Sequence, residues 1–179
     1  MPAFGADVAR LLVVGLAPGM HGANRSGRPF TGDYAGILLY ATLHQFGFAS
    51  HAGSADPDDG LTLIDCRITN AVKCLPPENK PLPLEVRTCN PYLRHEIDAL
   101  NPRVVLALGV VAHRAVLMAL GLRQDSHRFA HGAEHAVSDR LTLVDSYHCS
   151  RYNTQTRRLT SAMFESVMMA VRTRLDGEV

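Results

Sequence analysis

Short apolar runs that alternate with helical patterns limit the possible folds of this sequence more than any other feature. Four runs have the character of buried strands, at residues 10–14, 67–72, 103–108 and 140–144. Four helical patterns lie between and after them, at residues 34–46, 84–99, 110–120 and 160–174. Residues 123–139 suit a connection with one short extra strand. This alternation predicts a three-layer α/β/α sandwich around a central four-stranded parallel sheet.

The length of 179 residues suits a single domain, residues 1–179, with one substantial core. No apolar run approaches the ~20 residues that cross a bilayer, and no basic and then apolar signal segment begins the chain. We therefore expect a cytoplasmic protein with no membrane partner that acts as a monomer. The formal net charge of +1 gives no overall attraction to nucleic acid, so anion binding must come from local basic clusters.

A glycine-rich loop follows the first predicted strand, with the sequence GLAPGMHGANRSGRPFTGD at residues 15–33. Loops that leave the carboxyl ends of parallel strands are where open α/β sheets bind ligands. Arg25 and Arg28 are candidate phosphate ligands. Phe30 offers a flat face to a planar ring, and Asp33 is a candidate base that activates water. Two alternatives stay open, because Asp33 also suits the N-cap of the next helix and Phe30 also suits the core.

Two further polar segments follow predicted strands, TNAVKCLPPENK at residues 69–80 and SYHCSRYNTQTRR at residues 146–158. Asn70 and Asn79 each carry an amide donor and acceptor that match the edge of a pyrimidine. The alternative is that they only shape a strand end and a turn. His148 follows a strand and can donate a hydrogen bond to a developing anion. The remaining polar candidates suit phosphates and add local positive charge: Ser150, Arg151, Arg157 and Arg158.

Taken together, the segments GLAPGMHGANRSGRPFTGD, TNAVKCLPPENK and SYHCS with NTQTRRLT resemble the uracil-DNA glycosylase superfamily. The resemblance is strongest to the group called family 5 or type b, with some traits of family 4, and it covers nearly the whole chain. It implies a four-stranded parallel sheet between helices. It also implies hydrolysis of the N-glycosidic bond of uracil, and of other deaminated or damaged bases, flipped out of DNA.

The resemblance assigns roles to individual residues. Phe30 corresponds to the aromatic residue that stacks on the flipped base, and Asp33 to the acid that assists water in family 5. His148 corresponds to the histidine that stabilises the leaving base, and Asn79 to an asparagine important in family 5. Asn70 matches the base-reading asparagine of family 4, where family 5 members commonly carry alanine. The chain therefore combines features of both families.

DNA that contains the damaged base is the expected partner. The candidate DNA contacts are Arg25, Arg28, Ser150, Arg151 and Arg157. Gly19 and His21 are further candidate substrate contacts, and residues 19–22 offer no bulky side chain that would exclude larger bases. A broad range of damaged bases is therefore expected. Tyr152 and Arg157 are candidates for the residue that enters the vacated base stack.

The cysteines predict no cofactor and no metal. Families 4 and 5 hold an iron–sulfur cluster with four cysteines, and only Cys74 and Cys89 match ligand positions here. Cys66 lies before the second predicted strand, and Cys149 stands beside His148, where relatives carry proline. We expect simple thiols at these positions.

Three functions from different classes follow from the sequence. The first is a monofunctional glycosylase that leaves an abasic site, which the acid and the histidine favour. The second is a protein that binds uracil-containing DNA without turnover. The third is a hydrolase of small nucleosides or phosphosugars. ATP and NAD are poor candidates, because the glycine-rich loop lacks the patterns that bind them.

Overall fold

A mixed six-stranded sheet forms the centre of the computed structural model, which describes residues 1–177. Its strands are β1 (Phe4–Gly5), β2 (Leu11–Gly15), β3 (Cys66–Asn70), β4 (Val104–Leu108), β5 (Glu134–Ala136) and β6 (Thr142–Ser146). The spatial order is β1-β3-β2-β4-β6-β5. The inner strands β3, β2, β4 and β6 are parallel, whereas β1 and β5 pair antiparallel at the edges.

The predicted α/β sandwich is confirmed, but the predicted number of strands is wrong. The four inner strands are those that the apolar runs predicted, and β5 is the short extra strand expected within residues 123–139. Both edge strands join the same sheet, which therefore has six strands rather than four. β1 has two residues and β5 has three, and neither contains a fully buried residue. A two-residue strand such as β1 carries no apolar run to reveal it, and β5 is too short for its sequence to show that it joins the central sheet.

Helices cover both faces of the sheet. They are α1 (Ala23–Ser26), α2 (Tyr34–Gln45), α3 (Pro83–Leu100), α4 (Val110–Ala119), α5 (Arg151–Gln155) and α6 (Ser161–Asp176). Because successive strand side chains point to opposite faces, Leu11 and Val13 lie in one core, with side chains of α2 and α6. Leu12 and Val14 lie in the other core, with side chains of α3 and α4. These two cores make the sandwich three-layered.

The carboxyl ends of the parallel strands place the three polar segments at one edge of the sheet. Gly15, the last residue of β2, pairs in register with Asn70, the last residue of β3. Ser146 ends β6 beside Leu108 of β4. The chain reaches His148 two residues later. The segments that follow β2, β3 and β6 therefore emerge side by side.

Within residues 1–177, the structure contains no helix with both the length and the apolar character needed to cross a membrane.

Candidate active site

A cavity of about 520 Å³ opens at the carboxyl ends of β2 and β3. This volume lies in the usual range of ligand sites, roughly 300–1,000 Å³. Most of the predicted site residues line it: Gly19, His21, Phe30, Asp33, Asn70, Asn79, His148, Ser150 and Arg151. Arg25, Arg28 and Arg157 are not part of the lining. The structure thus brings together residues that are far apart in the sequence.

Phe30 is closely packed at the inner wall of the cavity. Its backbone has a left-handed φ of 56°, and its side chain is almost fully buried. The ring lies against Gly15, where an added Cβ would stand 2.6 Å from Phe30 Cζ. Next to it, the hydroxyl of Tyr40 donates a hydrogen bond to the carbonyl of Pro29 at 2.7 Å. Phe30 therefore belongs both to the core and to the cavity, and the two interpretations of it are compatible.

Asn70 presents an unsatisfied acceptor. The residue is buried at the end of β3, and among the described residues its Oδ1 has no hydrogen-bond partner. A Cβ on Gly15 would collide with this oxygen, so the glycine is what leaves room for it. A buried carbonyl without a partner costs about 1–3 kcal/mol. An N–H group of a ligand in the cavity would remove that cost.

The side chain of Asp33 does not cap the helix that it precedes. It occupies the N-cap position of α2, but its carboxylate makes no capping hydrogen bond there. Instead, Oδ2 accepts a hydrogen bond from the backbone N–H of Ala23 at 3.1 Å. Gly19 and Gly22 leave space for the carboxylate, because a Cβ at either position would press on it. The alternative of a simple N-cap is therefore wrong.

Burial shifts the pKa values of both candidate catalytic groups, Asp33 and His148. Burial raises the pKa of Asp33, and the Ala23 N–H and the charge of His21 partly offset this effect. Burial also lowers the pKa of His148 to about 4. Asp33 is consequently a stronger base than an exposed aspartate, and His148 is a neutral imidazole near neutral pH.

His148 stands beside Phe30, with the two ring centroids 5.9 Å apart and the planes tilted by 33°. Asn153 donates a side-chain hydrogen bond to the His148 carbonyl at 2.8 Å. The backbone N–H of Asn153 in turn donates to Oγ of Ser150, the N-cap of α5. These contacts fix the loop around His148. The thiol of Cys149 is buried in the adjoining core.

The rim of the cavity is polar and exposed. Asn79 is exposed there, with a left-handed φ of 56°. The guanidinium of Arg151 lies 5.7 Å from the ring centroid of Tyr34. Tyr34 and Met20 line the cavity and are 44% and 54% exposed, and the sequence interpretation missed both. The sequence signal that could have identified Tyr34 is its position directly after Asp33, at the start of a predicted helix.

The predicted phosphate contact of Arg28 is wrong. The structure gives this residue a structural role instead. The residue is only 6% exposed. Its guanidinium forms a bidentate ion pair with Asp59, at 2.9 and 2.7 Å. It also donates to the hydroxyls of Thr31 and Ser54 and to the backbone carbonyls of residues 56–57. Every N–H group of the guanidinium therefore donates a hydrogen bond to another group of the protein.

Arg25 and Arg157 lie outside the cavity but on the surface. Both are exposed, and Arg157 has a left-handed φ of 57° just after α5. Contact between these two side chains and DNA stays a prediction.

Comparison with known proteins identifies the family. Residues 2–172 match the family model described as the uracil DNA glycosylase superfamily. The chain belongs to the uracil-DNA glycosylase superfamily. A type-5 uracil-DNA glycosylase from Thermus thermophilus is 48% identical over 178 residues, which cover 99% of this chain and 80% of that protein. A type-5 enzyme from Pyrobaculum aerophilum is 42% identical over 94% of this chain and 73% of that protein.

Similarity to the type-4 enzymes is weaker. A type-4 uracil-DNA glycosylase from Pyrobaculum aerophilum is 37% identical over 116 residues, 64% of this chain and 52% of that protein. The expected membership of the superfamily, with greater similarity to type 5 than to type 4, is confirmed.

The thiols of the described residues do not fit the four-thiolate cluster that families 4 and 5 imply. Cys66 and Cys149 are buried in the core on one face of the sheet. Cys89 packs against the core on the other face and accepts a hydrogen bond from the Lys73 N–H at 3.4 Å. Cys74 is exposed. No reaction step is therefore assigned to a cluster.

The absence of an iron–sulfur cluster stays a prediction that metal analysis can check. We expect the purified protein to be colourless and to contain no stoichiometric iron, because a cluster normally needs four converging thiolates. A Cys74→Ser/Cys89→Ser variant should match the parent protein in colour, iron content and fold. Visible absorbance near about 400 nm, with iron that the double variant lacks, would overturn this prediction.

Proposed function

We propose that this protein is a monofunctional DNA glycosylase that hydrolyses the N-glycosidic bond of uracil in DNA and leaves an abasic site. The observation that carries the proposal is one cavity that combines a buried aromatic ring, an unsatisfied amide oxygen, a half-buried carboxylate and a neutral imidazole. These are Phe30, Asn70, Asp33 and His148. The similarity to proteins named type-5 uracil-DNA glycosylases supports it.

Binding of the flipped base depends on Phe30 and Asn70. Flipping a base out of the duplex costs a few kcal/mol, and least for a mispaired base. Stacking on Phe30 returns about 1–3 kcal/mol of this cost. The imide N–H of uracil supplies the donor that Asn70 Oδ1 lacks. Cytosine presents an unprotonated ring nitrogen at the same position, so two acceptors would face each other and cytosine would bind poorly.

Cleavage places positive charge on the sugar and negative charge on the base. As the C1′–N bond breaks, its electron pair leaves with the base, and the N–H of neutral His148 donates a hydrogen bond to the resulting anion. Asp33 orients a water molecule, accepts its proton as the oxygen bonds to C1′, and opposes the charge of the oxocarbenium-like sugar. The products are an abasic site and the free base.

The cavity also supports a reaction without strand cleavage. Strand cleavage by a glycosylase requires an amine nucleophile, and no lysine lines the cavity in the described part of the chain. The nearby amine of Lys73 is engaged with Glu96 and with Thr69, at 2.6 Å in each case. Hydrolysis by water is therefore the proposed reaction.

Release of other deaminated or damaged bases is part of the proposal and rests on the sequence resemblance; in the structure Gly19 leaves space for the Asp33 carboxylate, and the neighbouring Met20 lines the cavity. Action as a monomer in the cytoplasm stays a prediction.

We expect Asp33→Ala and His148→Ala each to lower uracil release by about tenfold or more, because both groups act on the transition state. Single-turnover assays on a uracil-containing oligonucleotide, with alkaline cleavage at abasic sites and separate detection of free uracil, measure the effect. Thermal melting shows whether each variant is folded, and an Asp139→Ala variant on the exposed turn before β6 is the control. Normal rates in both variants would refute their roles. Tight DNA binding by the parent protein without release of free uracil would favour the alternative function, a protein that binds uracil-containing DNA without turnover.

The pH dependence separates the two catalytic groups. Asp33 works as a carboxylate with a raised pKa, so the rate should fall as the pH drops through that pKa. The pKa of His148 is about 4, so its neutral form persists across the assay range of about pH 5–8. Any fall in the single-turnover rate towards the acidic end of that range should thus come from protonation of Asp33, so Asp33→Asn should abolish it and His148→Asn should retain it at a lower overall rate. A fall that disappears only in His148→Asn would reverse the assignment.

Asn70 is expected to set the preference for uracil. Asn70→Ala removes the acceptor for the imide N–H, so uracil release should fall by about tenfold relative to release of ethenocytosine. Parallel assays on oligonucleotides with uracil, hypoxanthine, xanthine and ethenocytosine give the ratios. An Asn90→Ala variant on α3 serves as the control for general loss of stability, because Asn90 is buried away from the cavity. Unchanged ratios in Asn70→Ala would exclude this role.

A further inference from the structure

A second cluster of polar side chains lies outside the active-site cavity and has no part in the proposed reaction. It joins His113 of α4, His135 of the edge strand β5 and Asp145 of β6. The side chains of His113 and Asp145 are 1% and 0% exposed, and that of His135 is 14% exposed. None of the three lines the cavity. The cluster is thus buried, with access from solvent on the side of His135.

The three side chains converge on one point. Nδ1 of His113 lies 2.7 Å from Asp145 Oδ1, and Nε2 of His135 lies 3.1 Å from Asp145 Oδ2. The ligand atoms all lie within 4.8 Å of one another. Tetrahedral zinc with bonds of about 2.0–2.2 Å separates its ligand atoms by roughly 3.3–3.5 Å. Small rotations of the side chains would therefore bring the three atoms to coordination distance.

The surroundings of His113 match those of a metal ligand. Its other ring nitrogen, Nε2, lies 3.0 Å from the backbone carbonyl of His127. A carbonyl oxygen only accepts hydrogen bonds, so Nε2 carries a proton and Nδ1 is the nitrogen on the side of the cluster. Nδ1 faces the Asp145 carboxylate, which also only accepts, so a metal ion that binds Nδ1 must displace a proton from it. Histidines that bind metals commonly donate their second ring nitrogen to a backbone carbonyl, which fixes both tautomer and orientation.

We propose that His113, His135 and Asp145 form a zinc-binding site with a water molecule as the fourth ligand. Two imidazoles and one carboxylate are a ligand set that zinc takes in proteins. The ligands lie on separate elements, so a bound ion would link α4 and the edge strand β5 to the inner strand β6. His148 lies three residues after Asp145, just beyond the end of β6, and is not part of the cluster. The role of the ion is structural.

Calorimetric titration of the full chain with zinc chloride tests the site, after dialysis against a chelator and then against metal-free buffer. We expect one zinc ion per chain. We also expect a rise in melting temperature of about 5 °C at saturating zinc, because an ion that binds only the folded state stabilises it. Cobalt in place of zinc should give the absorption bands of a tetrahedral site.

Two variants and one control make the result specific. His135→Ala should lose zinc binding by about a hundredfold. His135→Gln should do the same, although its amide can still donate to Asp145 and keep the fold. His95→Ala, which removes an exposed histidine of α3, should bind zinc like the parent protein. Failure of the parent protein to bind zinc, or equal binding in His135→Gln, would overturn the proposal.

Discussion

The parallel pairing of β2 with β3 is the constraint on which the rest of the site depends. The register sets Gly15 opposite Asn70, so the glycine-rich loop and the asparagine leave the sheet at the same point. Because Gly15 has no side chain, the ring of Phe30 and the amide of Asn70 both reach the space beside it. A side chain at Gly15 would occupy that space. The wall of the cavity that Phe30 and Asn70 form therefore depends on the absence of a side chain at Gly15.

Buried contacts hold the glycine-rich loop in place. Arg28 ties it to residues 54–59 through Asp59, and Tyr40 ties it to α2 through the Pro29 carbonyl. Removal of one member of a buried ion pair costs about 3–5 kcal/mol, since the other charge stays buried without a partner. Gly36 lets α2 pack closely against the loop, because a Cβ at this position would collide with the Phe30 carbonyl. The loop is thus a packed part of the fold, which keeps Phe30 and Asp33 in position without a ligand.

The sequence predicted the parts of the site that depend on strand ends. Phe30, Asp33, Asn70 and His148 each follow or end an apolar run, and topology alone brings such residues together. Arg28 was misassigned because its partner Asp59 is 31 residues away, and no local pattern separates a buried arginine from an exposed one. The sequence also gave no sign of the histidine cluster. Its ligands are spread over residues 113–145 without metal-site spacing, and only the pairing of β5 with β6 unites two of them.

The proposed function requires that the cavity between Phe30 and Asn70 holds a flipped uracil. A crystal structure of the Asp33→Asn variant with a duplex that contains one uracil would show the position of the base, because a slow variant keeps the base attached to its sugar. We expect the uracil ring to stack on Phe30, with its imide nitrogen about 3 Å from Asn70 Oδ1. We also expect His148 to lie within hydrogen-bond distance of a uracil oxygen. A uracil that stays in the duplex, or that binds outside this cavity, would show that the cavity is not the uracil site.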